Sequence, residues 1–240
     1  MEFSTTQAVG TDRLNIAVYG PPGAGKTSLA ATTGDLPRTL LIDAEAGALS
    51  LRGHDIARAV VHSVDDVRAA FSAIMRDPSR FRWIVIDSIT QIAEWALADA
   101  KKATKDGRQA YGIAAETVAA LIRAFQLLHC HVVFIAQQEV ATDETGRRFI
   151  GPAMPGRKLA EKFPRWFDIV AALRVEQDAE GAAVRYLQTV PVEQWTAKDR
   201  SGALDARQQP NLREIARKIG GDASVAVDDD PKPTLERNQP

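Results

Sequence analysis

LNIAVYGPPGAGKTSLA, residues 14–30, runs from an apolar stretch through a glycine-rich turn into a segment with helical spacing. Gly20, Gly25, Lys26 and Thr27 fit the pattern G-x-x-x-x-G-K-[ST] between a strand and a helix, the setting that the motif's chemistry needs. Glycines let successive backbone N–H groups turn inward around phosphate oxygens, and the helix that follows adds partial positive charge at its N-terminus. Lys26 reaches the terminal phosphates and Thr27 supplies a hydroxyl to Mg²⁺. The turn as a whole, Gly20, Pro21, Pro22, Gly23, Ala24, Gly25, Lys26, Thr27 and Ser28, is therefore expected to hold a nucleoside triphosphate.

Short apolar runs rich in β-branched residues recur at 14–19, 38–43, 59–63, 82–87 and 131–136, the composition of fully buried parallel strands. Between several of them, segments 26–33, 64–76, 88–102 and 113–129 carry apolar residues at helical spacing, with Ser63 and Asp65 available as caps. Such alternation predicts an α/β fold, a mainly parallel central sheet flanked by helices with right-handed crossovers. Past Asp168 the pattern changes. DIVAALRVE, AVRYLQTV and VEQWTAK read as strands parted by turn signals such as DAEG, so the sheet is expected to end in a C-terminal antiparallel hairpin. A last helix at 211–219 stops at Gly220 and Gly221. Residues 14–220 thus read as one core domain, preceded by an N-terminal segment, 1–13, and followed by a polar, acidic, proline-bearing tail, 221–240, whose composition predicts disorder.

The chain has 240 residues, 45% hydrophobic and 25% charged, enough for one sizeable core. Its net charge of -1 gives no global basic field, so any contact with nucleic acid must be a local patch. Cys130, the single cysteine, has no second thiol and too few soft ligands around it for a closed zinc site, and reads as a buried thiol. With no apolar leader and no membrane-length apolar run, the expectation is a soluble, cytoplasmic protein without membrane contact, in a bacterial or phage-infected host cell.

A nucleotide pocket needs a carboxylate near its metal and, for hydrolysis, a group that orients water. Asp87 ends the apolar run RWIVID, where it can serve the metal beside Thr27 or cap the helix that follows. Glu45, in LLIDAEAG, lies just beyond the second strand, at the strand ends where open α/β sheets bind ligands. A carboxylate there can polarise the attacking water, though a solvated loop acid is the competing reading for both Glu45 and Asp43. Trp83, Trp95 and Phe125 sit in strand or helix patterns and read as core.

Taken together, GPPGAGKT, IDAEAG after the next strand, IVIDS and FIAQQ resemble the RecA-like recombinases, and most closely the short RecA-core ATPases of phages in the Sak-type single-strand annealing group. The resemblance spans about residues 14–200. It implies an ATPase using ATP and Mg²⁺, with Glu45 as catalytic base and Gln137 as the sensor of the γ-phosphate; Gln138 competes for the sensor role. It also implies assembly of the chain as a homo-oligomeric filament or ring on single-stranded DNA, annealing or strand exchange, and a single-strand DNA-binding protein as a further partner. In WTAKDRSG, Lys198 and Arg200 resemble the basic pair that such subunits project into a neighbour's site, although a solvated hairpin tip fits as well. Phe3 could anchor a subunit contact, but Thr6 departs from the family's Phe-x-x-Ala form.

Two segments then become candidate DNA loops. KKATKDGRQAYG puts Lys101, Lys102, Lys105 and Arg108 near Tyr111, cations for phosphates beside an aromatic face for a base, or else an ordinary helix end whose dipole favours cations. QEVATDETGRRFIGPAMPGRK carries Arg147, Arg148, Phe149, Arg157 and Lys158 among glycines and prolines, with Glu139, Asp143 and Glu144 opposing them. A loop this long is expected to be functional, as a second DNA loop, a lid or a protein contact. Outside recombination, a hexameric helicase or loader motor and a nucleotide-switched assembly factor without DNA affinity fit the same motifs.

Overall fold

The computed structural model describes residues 13–142, 146 and 148–220. Ten strands make its sheet: β1 Asn15–Gly20, β2 Thr39–Asp43, β3 Ala57–Val60, β4 Trp83–Asp87, β5 His131–Thr142, β6 Arg148–Pro152, β7 Ile169–Gln177, β8 Ala183–Gln188, β9 Lys198–Asp199 and β10 Arg207–Gln208. Their order is β10-β8-β7-β1-β5-β4-β2-β3, with β6 on β5 and β9 on β7. β3, β2, β4, β5, β1 and β7 run parallel, while β8 turns back on β7 as the expected antiparallel hairpin. Two strands, β5 and β4, therefore stand between the P-loop strand β1 and β2, the arrangement of a RecA-like P-loop fold.

Alternation along the strands divides the interior into two cores. Ala17, Tyr19, Ile84, Ile86, Val132 and Phe134 face one side, where they pack beneath α1 Val64–Arg76, α2 Ile89–Ala103 and α3 Gly107–Gln126. Ile16, Val18, Trp83, Val85, Val133 and Ile135 face the other, covered by the P-loop turn and by α5 Leu212–Ile219, which follows the short α4 Arg157–Lys162 in the chain. The expected core residues Trp83 and Phe125 are 1% exposed, and Cys130 is 3% exposed, its thiol pushed up to about 12 by burial. Among the described residues no helix is long and apolar enough to cross a membrane.

Several expected boundaries move. The helix expected at 26–33 is a 3₁₀ turn, Thr27–Thr32, in which Thr32 Oγ1 donates to Leu29 O, a local bond that favours the tighter winding. The third strand is Ala57–Val60, not 59–63. It lies at the sheet edge with alternate residues half exposed, and Ser63 leaves it to cap α1 by accepting from Asp66 N. VEQWTAK contributes only a bridge from Trp195 to Ile150 and Lys198, the first residue of β9. Residues 221–240 and most of 1–13, with Phe3 and Thr6, lie outside the described residues.

Candidate functional site

At the C-terminal ends of β1, β2, β4 and β5 a cavity of about 670 Å³ is lined by the P-loop from Pro22 to Ser28, with Glu45, Asp87 and Gln137 on one side and Leu173, Arg185 and Pro210 among the remaining walls. The P-loop chain path depends on its glycines. Gly23 and Gly25 sit at φ +75 and +96, and a Cβ at Gly20 would come within 2.7 Å of the Leu173 carbonyl oxygen. Lys26 Nζ donates to the carbonyls of Gly20 and Pro21, both at 2.9 Å, and so lies folded across the mouth of the turn. Burial lowers the Lys26 pKa, opposed by the negative charges of Asp87 and Glu45.

Thr27 Oγ1 donates to Asp87 Oδ2 at 2.5 Å. Asp87 is 3% exposed, and burial pushes its carboxyl up to about 6 despite the Thr27 hydroxyl, with Glu45 adding to the rise. The helix cap that Asp87 could have supplied comes instead from Ser88, which accepts from Gln91 N at the start of α2. Thr27 and Asp87 fit a Mg²⁺ ion as the protein's share of its shell, since Mg²⁺ takes one or two protein side chains and completes its octahedron with phosphate oxygens and water. Together with the positive-φ cradle, the donor set fits magnesium nucleotide.

The two carboxylates near β2 differ in kind. Asp43 is buried, 1% exposed, contrary to the solvated loop reading. Its Oδ2 takes Arg58 Nη2 at 2.6 Å and its Oδ1 accepts from Glu45 N and Gly47 N, so it shapes the loop that carries Glu45. Glu45 projects into the cavity, where Oε1 accepts from Ser88 Oγ and from Gln137 Nε2, the latter at 3.0 Å. Gln137 lines the cavity; Gln138, one residue on in a strand, points to the other face, and its buried Oε1 has no protein partner among the described residues.

From Gln137 a short relay leaves the pocket. Gln137 N donates to Thr90 Oγ1 at 2.9 Å, Thr90 Oγ1 donates to Ala153 O at 3.0 Å, and Ala153 N donates to Gln137 O at 2.7 Å. Ala153 follows β6, so the base of the β5–β6 pair, where Gln138 meets Pro152, is tied at the pocket wall. Tyr19, one residue before the P-loop, adds a second tie: its hydroxyl lies 2.8 Å from Thr196 O and 3.1 Å from Ile150 O.

The candidate DNA segments take other forms than loops. KKATKDGRQAYG is a tight helix–helix junction, because Asp106 accepts from Arg108 N and Gln109 N and starts α3 at Gly107 rather than at 113. Arg108 and Tyr111 therefore lie on the first turns of α3. The second segment is the hairpin β5–β6 with α4 behind it, holding Arg148 and Phe149 on β6 and Arg157 and Lys158 on α4; Arg147 lies outside the described residues. The two segments meet. Lys101 Nζ is 5.9 Å from the Tyr111 ring centre, and Gly156 packs so tightly on that ring that a Cβ would fall 2.8 Å from Tyr111 Cδ1. Lys102 and Arg157 pair with Asp99 and Glu161 on the surface, while Lys105 and Lys158 are exposed.

Lys198 and Arg200 lie at the opposite end of the sheet from the P-loop, since β9 pairs with Ile169 and Val170 at the start of β7. Lys198 Nζ donates to Pro164 O at 2.7 Å, and Arg200 holds Asp168 and Arg165 O. They cannot reach their own pocket. Sequence reasoning missed Ser88, Thr90 and Arg185. The first two follow the acid of β4 within three residues and could have been suspected; Arg185 arrives through hairpin register, which leaves no local mark.

A family model described as AAA domain matches residues 12–201. No curated protein sequence matches the chain. Among solved structures, a KaiC-like protein from the hyperthermophilic archaeon Pyrococcus horikoshii OT3 is similar at 18% identity over 74% of this chain and 78% of that one, with a TM-score of 0.43.

Proposed function

This chain belongs to the AAA-domain family, and from that footing we propose that it is a magnesium-dependent ATPase whose nucleotide state controls its grip on single-stranded DNA, in the service of annealing or strand exchange. The observation that carries the reading is the relay from Glu45 through Gln137 and Thr90 to Ala153, which couples the pocket to the hairpin bearing Arg148 and Phe149 and to the neighbouring Tyr111 surface. A group that draws the Gln137 amide off Glu45 changes the anchor of that hairpin, which is the form of a two-position switch.

For hydrolysis, Lys26 and the inward N–H groups hold the phosphates, and Glu45 takes the proton of the attacking water. The water oxygen bonds to the γ-phosphorus as the bridge to the β-phosphate breaks, leaving ADP and phosphate. Bound Mg²⁺ would draw charge from the β- and γ-phosphate oxygens. A basic pair such as Lys198 and Arg200, too far to act at home, suits action on a neighbouring copy in a filament or ring.

The test is anisotropy of a labelled single-stranded oligonucleotide titrated with protein in ATP, in ADP and without nucleotide, at two salt concentrations. Wild type should bind more tightly in ATP and weaken steeply with salt. Gln137→Ala should bind equally in all three conditions, and Glu45→Gln should keep binding while losing on the order of 10² to 10⁴ in kcat. No oligonucleotide binding at low salt in any nucleotide state would overturn the DNA reading.

A second reading has its own support. A cavity of about 270 Å³ between the β5–β6 hairpin and α4 is lined by Phe149, Pro152, Met154 and Ala160 with Glu139, Glu161 and the Arg157 that pairs with Glu161, a mixed apolar and charged surface that suits polypeptide. A nucleotide-switched assembly factor would show ATP hydrolysis with no oligonucleotide binding in the same titration.

A further inference from the structure

We propose that Arg185 is a second phosphate-binding cation of the nucleotide pocket, supplied within the same chain by the C-terminal hairpin. The inference rests on the ATPase reading above and names a residue that no motif marks. Arg185 lies on β8 opposite Val175, and its one hydrogen bond among the described residues runs from Nε to Ala24 O at 3.1 Å, 161 residues away in the chain. That bond orients the guanidinium along the turn: Nε sits 3.7 Å from where a Cβ on Gly25 would lie, and the residue lines the cavity. One of the five guanidinium donors is used by Ala24, and no acidic side chain among the described residues pairs with it.

Arg185 and Lys26 are handled alike. Each donates to a carbonyl of the P-loop, at 3.1 Å for Arg185 and 2.9 Å for Lys26, and each can exchange that neutral acceptor for a charged phosphate oxygen, a bond roughly twice as strong. Among the described residues that line the cavity, Arg185 is the second cation beside Lys26. A planar fork also suits two oxygens of adjacent phosphates better than an ammonium does.

Phosphate contact predicts a dependence on phosphate number. Arg185→Ala should weaken ATP binding by about tenfold, ADP somewhat less and AMP by no more than about twofold, each measured by calorimetry on intact protein, the loss being that of one charged hydrogen-bond partner. Arg185→Lys should recover part of the ATP affinity. In steady-state assays the Ala variant should raise KM more than it lowers kcat. A melting temperature matching wild type without nucleotide would show that the fold is kept, as one surface-facing bond allows. Equal losses for AMP and ATP would place Arg185 on the nucleoside or on the loop alone and overturn the proposal, and so would unchanged ATP affinity. If wild type itself binds no nucleotide, the ATPase reading fails, an outcome distinct from an indifferent Arg185.

Discussion

One face of the sheet is covered by helices of 13, 15 and 20 residues, the other by a six-residue 3₁₀ turn, a four-residue 3₁₀ turn at Ala48–Leu51 and the eight-residue α5. The same strands feed both. Side chains on the helical face interlock over long regular surfaces, Phe134 meeting Phe125 and Phe167 edge to face at 6.4 and 5.3 Å. On the thin face the cover is the P-loop itself, held by threonine hydroxyls: Leu212 N donates to Thr32 Oγ1 at 3.0 Å, which ties α5 to the turn that follows Lys26. The difference teaches where stability and chemistry are kept. A long-helix face stores packing energy; a face of short turns leaves main-chain N–H groups and charged side chains free to meet a ligand.

The contrast can be tested by substitutions that should move stability in opposite directions. Phe134→Ala, on the helical face, should lower the unfolding free energy by about 3–5 kcal/mol, read by denaturant titration, with nucleotide affinity unchanged if the protein remains folded. An equal loss of nucleotide affinity would mean that the two faces are not separable. Asp87→Asn, at the pocket, should instead stabilise. Because the folded carboxyl titrates near 6, above its ordinary range near 4, the folded state holds the proton longer and stability falls as pH rises between those values. The part contributed by neutral Asp87 is fully present below about 4 and gone above about 6, a swing of roughly 3 kcal/mol. In nucleotide-free solution the Asn variant should lack this decline and melt above wild type at pH 7.5, yet gain less from magnesium nucleotide. A variant that melts lower at every pH would refute the burial argument. The smallest effect belongs to Ser63→Ala, which removes the α1 cap for about 1 kcal/mol and should leave ATP hydrolysis untouched.

How much of this was legible depends on how local each signal is. The P-loop and the acid ending β4 are written in contiguous residues, so motif and strand position coincide. The parallel sheet was legible for the same reason: its central strands are uninterrupted apolar runs. The Lys101–Tyr111 segment misled because Gly107 and Gly112 argue against a helix, whereas Asp106 caps one strongly enough to absorb both. Pro152, Pro155 and Gly156 likewise suggest a long loop, while Val140 to Thr142 and Arg148 to Ile150 carry enough β-branched and aromatic character to pair with each other. Arg58 reaches Asp43, and Arg185 reaches Ala24 at the pocket wall, only through strand register, which leaves no trace in spacing along the chain.

The carbonyl bonds of Lys26 and Arg185, with the Thr27–Asp87 hydrogen bond, have a final consequence for selectivity. On the reading proposed above, a ligand that exchanges more of these contacts gains more, so a linked row of oxyanions should be held more tightly than a lone sulfate or orthophosphate, and the pocket would rank its visitors by chain length before any base is read.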